Sequence, residues 1–255
     1  MDQLKTRVDG DLLWITLSSV NNTIGSALLK ELEDQLDVHA ALPDPKVLVL
    51  SGDGKKFFSP GFNLHEVSRF DRITMTDFMN SFSRLSRKLF TYPKPTLAML
   101  NGDALAGGFL LASCCAFRYA PYKARVGLTG LSRSVVIPFG NRKILESIIG
   151  QKLTQRITAR GQNFFSQKAF QIGWLDGIVD ERDLETSVRS KAQELAGKAT
   201  DFLNGTIAEK RSKLIDQIRC EESKHLDNFL DHWFSPEARL QIEKMLRELG
   251  NSSGE

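Results

Sequence analysis

The run Asn101-Gly102-Asp103-Ala104-Leu105-Ala106-Gly107-Gly108-Phe109-Leu110-Leu111-Ala112 constrains this chain more than any other stretch. Thr96 to Leu100 before it reads as a short buried strand. Phe109 to Cys115 after it is apolar for about two helical turns. The glycine pair therefore stands where a strand ends and a helix begins. Unpaired backbone N–H groups and the positive end of the helix dipole gather at such a junction. Glycine lets a ligand approach the main chain closely, so the junction suits a negatively charged oxygen.

A second stretch has the same design. Phe57-Phe58-Ser59-Pro60-Gly61-Phe62-Asn63-Leu64 follows an apolar strand, Val47 to Leu50, and a turn, Ser51-Gly52-Asp53-Gly54. Gly61 permits a backbone angle that turns the Phe62 N–H toward a cavity. Two N–H groups aimed at one point would form an oxyanion hole. Either stretch alone also fits ordinary packing at a strand–helix junction.

Composition narrows the setting. The 255 residues suffice for one large domain with a substantial core. Net charge is +3, from 34 basic and 31 acidic residues, too balanced for nucleic acid to be the main partner. The three cysteines, Cys114, Cys115 and Cys220, are odd in number and match no zinc spacing. The adjacent pair lies in an apolar helix, which argues for buried thiols in a reducing compartment. No apolar leader opens the chain and no apolar run reaches the roughly 20 residues of a membrane span. The ending Ser252-Ser253-Gly254-Glu255 is no peroxisomal address. A cytoplasmic protein without membrane contact is expected, and neither a metal nor a tightly bound cofactor is implied.

In order, Leu4 to Arg7 and Leu12 to Leu17 read as strands joined at Asp9-Gly10. Gly25 to Ala40 is an amphipathic helix through Ile24, Leu28, Leu32 and Leu36. Lys46 to Leu50 is a strand covered on both faces. His65 to Asp71 reads as loop, and Met75 to Phe90 as a helix with Phe78, Phe82, Leu85 and Leu89 on one face. Strands and helices alternate as far as Val179, which indicates an α/β core. Helices follow over Leu184 to Ala199, Thr206 to Phe234, and from Pro236 to Leu249 behind the N-cap Ser235. His65, His225 and His232 form no metal or nucleophile set, and His225 and His232 read as surface positions.

Taken together, F-S-x-G-x-(D/N)-L and, about forty residues later, P-x-(I/L/V)-A-x-(I/L/V)-N-G-x-A-x-x-G-G resemble the crotonase, or enoyl-CoA hydratase/isomerase, superfamily. The resemblance spans about Leu13 to Leu249. It implies a crotonase α/β fold, a ββα spiral over 1–195 and a C-terminal helical trimerisation region over 196–255. It also implies an acyl-CoA thioester as substrate, coenzyme A being part of that substrate, a homotrimer or dimer of trimers, and a place in lipid metabolism. The oxyanion donors would be the Phe62 and Gly107 N–H groups. Lys56 would meet the coenzyme A phosphates or be a solvated lysine. Phe58, Pro60, Gly61, Asn63 and Gly108 would line the thioester site.

The resemblance also shows a gap. One glutamate of the hydratases falls on Leu110, which favours an isomerase, a reaction that needs a single carboxylate. That remaining glutamate falls on Gly130, beside Ser132 and Arg133. Asp103 is the nearest acidic residue in sequence. It is either a displaced base or a hydrogen-bonded strand-end aspartate. Three readings therefore stand open. The first is an isomerase with a displaced base. The second is a hydrolase or decarboxylase that needs only the oxyanion hole, with Ser132 or Arg133 holding a substrate carboxylate. The third is a non-catalytic acyl-CoA-binding protein.

Overall fold

The computed structural model of the chain describes residues 2–128, 137–198 and 206–251. Gly10, at φ 57°, closes strand β1 (Leu4–Asp9) onto β2 (Leu12–Leu17) as an antiparallel hairpin. Helix α1 (Ser26–Ala40) follows and buries Leu28, Leu29, Leu32 and Leu36.

Three successive units then repeat one plan. The first is β3 (Val47–Gly52), β4 (Phe57–Ser59), the short helix α2 (Leu64–Val67) and α3 (Arg72–Phe90). The second is β5 (Thr96–Met99), β6 (Asp103–Leu105) and α4 (Gly107–Ser113). The third is β7 (Phe117–Pro121), β8 (Arg125–Gly127) and α5 (Phe139–Ile149). The first strand of each unit joins a six-stranded sheet of order β1-β2-β3-β5-β7-β10. The second joins a four-stranded sheet of order β4-β6-β8-β9. All pairings between units are parallel. Because β4 lies beside β6, the turns at their C-terminal ends become neighbours, and these are the two glycine stretches.

The chain continues through α6 (Gln151–Arg160), β9 (Asn163–Phe165), α7 (Ser166–Gln171), β10 (Gly177–Val179) and α8 (Leu184–Ala196). It ends in α9 (Thr206–Trp233) and α10 (Pro236–Asn251). Val47 and Val49 face Leu184, Val188 and Ala192 of α8, whereas Leu48 and Leu50 face the main core. The six-stranded sheet is thus covered on both sides, as its continuous apolar strands require. Helix α9 packs against α3 and α5. Ser235 Oγ accepts from Ala238 N–H at 3.2 Å and caps α10. This is the α/β crotonase fold that the motifs imply.

Two local expectations differ. The stretch read as loop, 65–71, overlaps α2, and α3 starts three residues earlier than its apolar pattern suggests. Asp71 accounts for that start, since its carboxylate accepts from Thr74 N–H at 2.7 Å. Among the described residues no helix is long and apolar enough to cross a membrane.

Candidate active site

Two asparagines fix the loops from which the first glycine turn springs. Asn101 Oδ1 accepts from Gly52 N–H at 2.7 Å, and its Nδ2 donates to Gly54 C=O at 2.8 Å and Phe57 C=O at 3.1 Å. Asn22 Nδ2 donates to Asp53 C=O and Phe57 C=O at 2.9 and 2.7 Å. Phe58 is fully buried, so β4 is anchored in the core before the chain turns at Pro60.

Backbone pairing then sets the direction of the Phe62 N–H. Gly61 N–H turns inward to Ser59 Oγ at 3.2 Å, and Gly61 C=O accepts from Ile24 N–H at 2.8 Å. Among the described residues the one cis peptide is Asp44–Pro45, so the Gly61–Phe62 peptide is trans. In a trans peptide N–H and C=O point oppositely, and the Phe62 N–H therefore faces away from Ile24. The next residue, Asn63, donates to Ile24 C=O at 2.9 Å and precedes α2.

The second donor arises from a strained residue. Ala106 has φ 46° and ψ −118°, a conformation an alanine holds at a cost of about 1–3 kcal/mol. It is fixed from both sides: its N–H donates to Gly127 C=O at 2.8 Å, and its C=O accepts from Leu110 N–H at 3.1 Å. Gly107 is the first residue of α4, so its N–H has no partner within the helix. Among the described residues neither Phe62 N–H nor Gly107 N–H has a backbone partner.

The two turns touch. A Cβ placed on Gly61, whose φ is 110°, would lie 3.0 Å from Gly107 N and 3.0 Å from Ala106 Cβ. A Cβ on Gly108 would stand 2.2 Å from Ser59 C=O, so β4 can lie over the start of α4 only because residue 108 is glycine. Phe62 packs edge-on against Phe78 and Phe82 of α3, at 5.1 and 4.9 Å between ring centroids. Leu110 is buried on α4 at 4% exposure and presents no ionisable group.

Asp103 is engaged away from the paired N–H groups. Asp103 opens β6, four residues before Gly107 and so roughly 10 Å away at strand and turn spacing. Its Oδ1 accepts from Arg125 N–H at 2.8 Å and its Oδ2 from Arg125 Nε at 2.9 Å. Both oxygens therefore tie β6 to β8, the strand-end role. Lys56 accompanies it, its C=O accepting from Asp103 N–H at 3.0 Å, in a separate cleft with Lys55, Lys123 and Arg182. The ion pair and the strand direction, neither local in sequence, remove Asp103 from the paired N–H groups. Gly130, Ser132 and Arg133 lie outside the described residues.

Cys114 and Cys115 are buried, and burial pushes both thiols up to about 12, so neither is a thiolate near neutral pH. His225, expected at the surface, instead stacks flat on Phe139 at 4.2 Å between ring centroids. Among the described residues no three His, Cys, Asp or Glu side chains gather as a metal site.

A short-chain-enoyl-CoA hydratase of Clostridium acetobutylicum is 27% identical over 192 residues, 75% of this chain and 71% of the relative. The 2,3-dehydroadipyl-CoA hydratase of Escherichia coli is 28% identical over 168 residues, 66% of this chain and 64% of that protein. Among solved structures, human mitochondrial delta3-delta2-enoyl-CoA isomerase superposes with a TM-score of 0.91 at 20% identity, over 99% of this chain and 100% of that one. Enoyl-CoA hydratase from Bacillus halodurans reaches 0.86 at 19% identity, over 95% and 99%. These structural likenesses establish the fold. The family model for Enoyl-CoA hydratase/isomerase matches residues 9–234, and the chain belongs to that family.

Proposed function

We propose that this protein binds an acyl-CoA thioester and holds the carbonyl oxygen between Phe62 N–H and Gly107 N–H, acting as an enoyl-CoA isomerase-like enzyme. The observation that carries this reading is the pair of contacting turns. Each has a positive-φ residue, Gly61 or Ala106, placed just before an N–H that the backbone leaves without a partner. An enolate oxygen, the species formed when a base takes the proton next to a thioester carbonyl, is what such donors stabilise. Loss of one donor at such a site typically costs about 2.7–4 kcal/mol. Gly61, Gly108 and Pro60 would shape the approach to the oxygen, and Asn63 would hold the turn through Ile24.

Isomerisation is favoured over hydration because Leu110 cannot activate water. Relatives named hydratases and a structural neighbour named an isomerase both support the acyl-CoA ligand class. A second reading has its own observation. Asp103 is engaged by Arg125 and Leu110 is apolar, which supports a protein that holds acyl-CoA without turning it over. We further propose a homotrimer assembled through the C-terminal helices, to be checked by light scattering.

The test is a trans-3-enoyl-CoA incubated with the purified protein. Formation of the conjugated 2-enoyl-CoA, read by its ultraviolet absorbance, supports the isomerase. Acyl-CoA binding without turnover supports the holder, and release of free thiol supports a hydrolase. Failure of any acyl-CoA to bind would refute the proposal as a whole.

A further inference from the structure

Helix α1 begins without a cap of its own. Its N-cap residue, Gly25, has no side chain, and its first turn holds no acidic residue. A helix start leaves backbone N–H groups without intrahelical partners and favours a negative charge beside them. Glu66 of α2 supplies the acceptor and the charge from outside the helix: its Oε1 accepts from Ser26 N–H at 3.0 Å. Its Oε2 accepts from Asn63 Nδ2 in a longer contact of 3.4 Å. A Cβ on Gly25 would stand 2.2 Å from Oε2, so the carboxylate rests here only because residue 25 is glycine. Gly25 has φ −111°, open to any residue, so room for the carboxylate is what this glycine provides.

These contacts close a ring around the first glycine turn. Ile24, one residue before Gly25, donates to Gly61 C=O and accepts from Asn63 N–H. Asn63 C=O accepts from Glu66 N–H at 3.0 Å, which fixes Glu66 to the far side of the same turn. The bond from Ile24 to Gly61 C=O orients the Gly61–Phe62 peptide plane, and with it the Phe62 N–H. The fully buried Ile24 side chain anchors one end of the crossing segment 24–26, and the bond from Ser26 to Glu66 anchors the other.

Resting on the acyl-CoA reading above, we propose that Glu66 is a positioning residue for the thioester site. It ties the start of α1 to α2 and thereby aims the Phe62 N–H at the carbonyl oxygen. Both its oxygens are engaged, so it acts through the backbone and not as a base. Gly25 belongs to the same device, because any side chain there would push the carboxylate off Ser26.

The experiment is infrared difference spectroscopy of the full chain with butanoyl-CoA and decanoyl-CoA, each labelled with carbon-13 at the carbonyl, alongside calorimetric affinities. A donated hydrogen bond lowers the carbonyl stretching frequency, so the band of the bound thioester reports the donors. The wild-type band should lie below that of the free thioester. In Glu66→Ala it should move back toward the free position with affinity little changed. Gly25→Ala should move it the same way, and should add nothing in the Glu66→Ala background. Glu66→Gln keeps an acceptor for Ser26 N–H and should restore the wild-type band. In turnover of a 3-enoyl-CoA the two alanine variants should lose up to about 10²-fold in kcat, with KM little changed. A folded Glu66→Ala or Gly25→Ala protein with the wild-type band overturns the proposal, as does a Glu66→Gln protein that behaves like the alanine variant. Gly25→Ala carries the test if Glu66→Ala fails to fold. If the wild-type chain binds neither thioester, or binds one with its band at the free position, the acyl-CoA reading itself fails, and this inference with it.

Discussion

Substitution of Gly61 by alanine should separate the oxyanion geometry from mere folding. The position has φ 110°, where an alanine is strained by about 1–3 kcal/mol. The new Cβ would also stand 3.0 Å from Ala106 Cβ, 3.0 Å from Gly107 N and 3.3 Å from Leu105 C=O. None of these atoms can swing aside as a side-chain tip could. They belong to the turn that carries the second N–H, so relief of the contact must move one donor relative to the other. Donors to an oxyanion work within about 2.7–3.1 Å, and a misplaced one costs about 10²–10³ in kcat. We therefore expect Gly61→Ala to lose about 1–3 kcal/mol of stability and about 10²–10³ in turnover of a 3-enoyl-CoA. Gly54→Ala is the control: its φ is 73°, but nothing lies within 4 Å of the added Cβ. It should lose about 1 kcal/mol of stability and no activity. The assay pairs initial rates and acyl-CoA affinity with thermal unfolding. A folded Gly61→Ala protein with wild-type kcat/KM and wild-type acyl-CoA affinity would refute the reasoning.

Three other outcomes are expected. Asp103→Asn should cost about 1 kcal/mol, since its partner Arg125 is largely exposed, and should leave turnover intact; a folded variant without activity would return Asp103 to the mechanism. Asn101→Ala should destabilise by about 2–3 kcal/mol, because Gly52, Gly54 and Phe57 each lose a hydrogen bond; urea unfolding measures this, and a loss below about 0.5 kcal/mol would contradict it. The Arg84 guanidinium, with Lys88, holds the Glu33 carboxyl below its ordinary value of 4.5. A depressed carboxylate contributes stability above its unfolded-state value and loses it as pH falls through the native one. Thermal stability below about pH 4.5 should therefore fall more steeply in the wild type than in Glu33→Gln, and equal slopes would count against this pair.

The glycine turns were legible because strand, glycine and helix follow one another within a dozen residues. The hairpin at Asp9-Gly10 and the apolar face of α3 were legible for the same local reason. What required the structure is non-local. Parallel pairing of β4 with β6 brings Gly61 to Gly107, and no spacing rule states that pairing. The partner of Asp103 lies 22 residues away, and only the pairing of β6 with β8 shows that both its oxygens are used. Strain at Ala106 is invisible because alanine carries no signal for a positive φ. Edge strand β9, three residues long, is too short for an alternating pattern.

One measurement bears on all of this most directly: a crystal structure with a ketone analogue of an acyl-CoA thioester. The account predicts the analogue's carbonyl oxygen between the two turns, within about 2.7–3.1 Å of both Phe62 N and Gly107 N. A carbonyl oxygen bound to neither nitrogen, or to water alone, would contradict it.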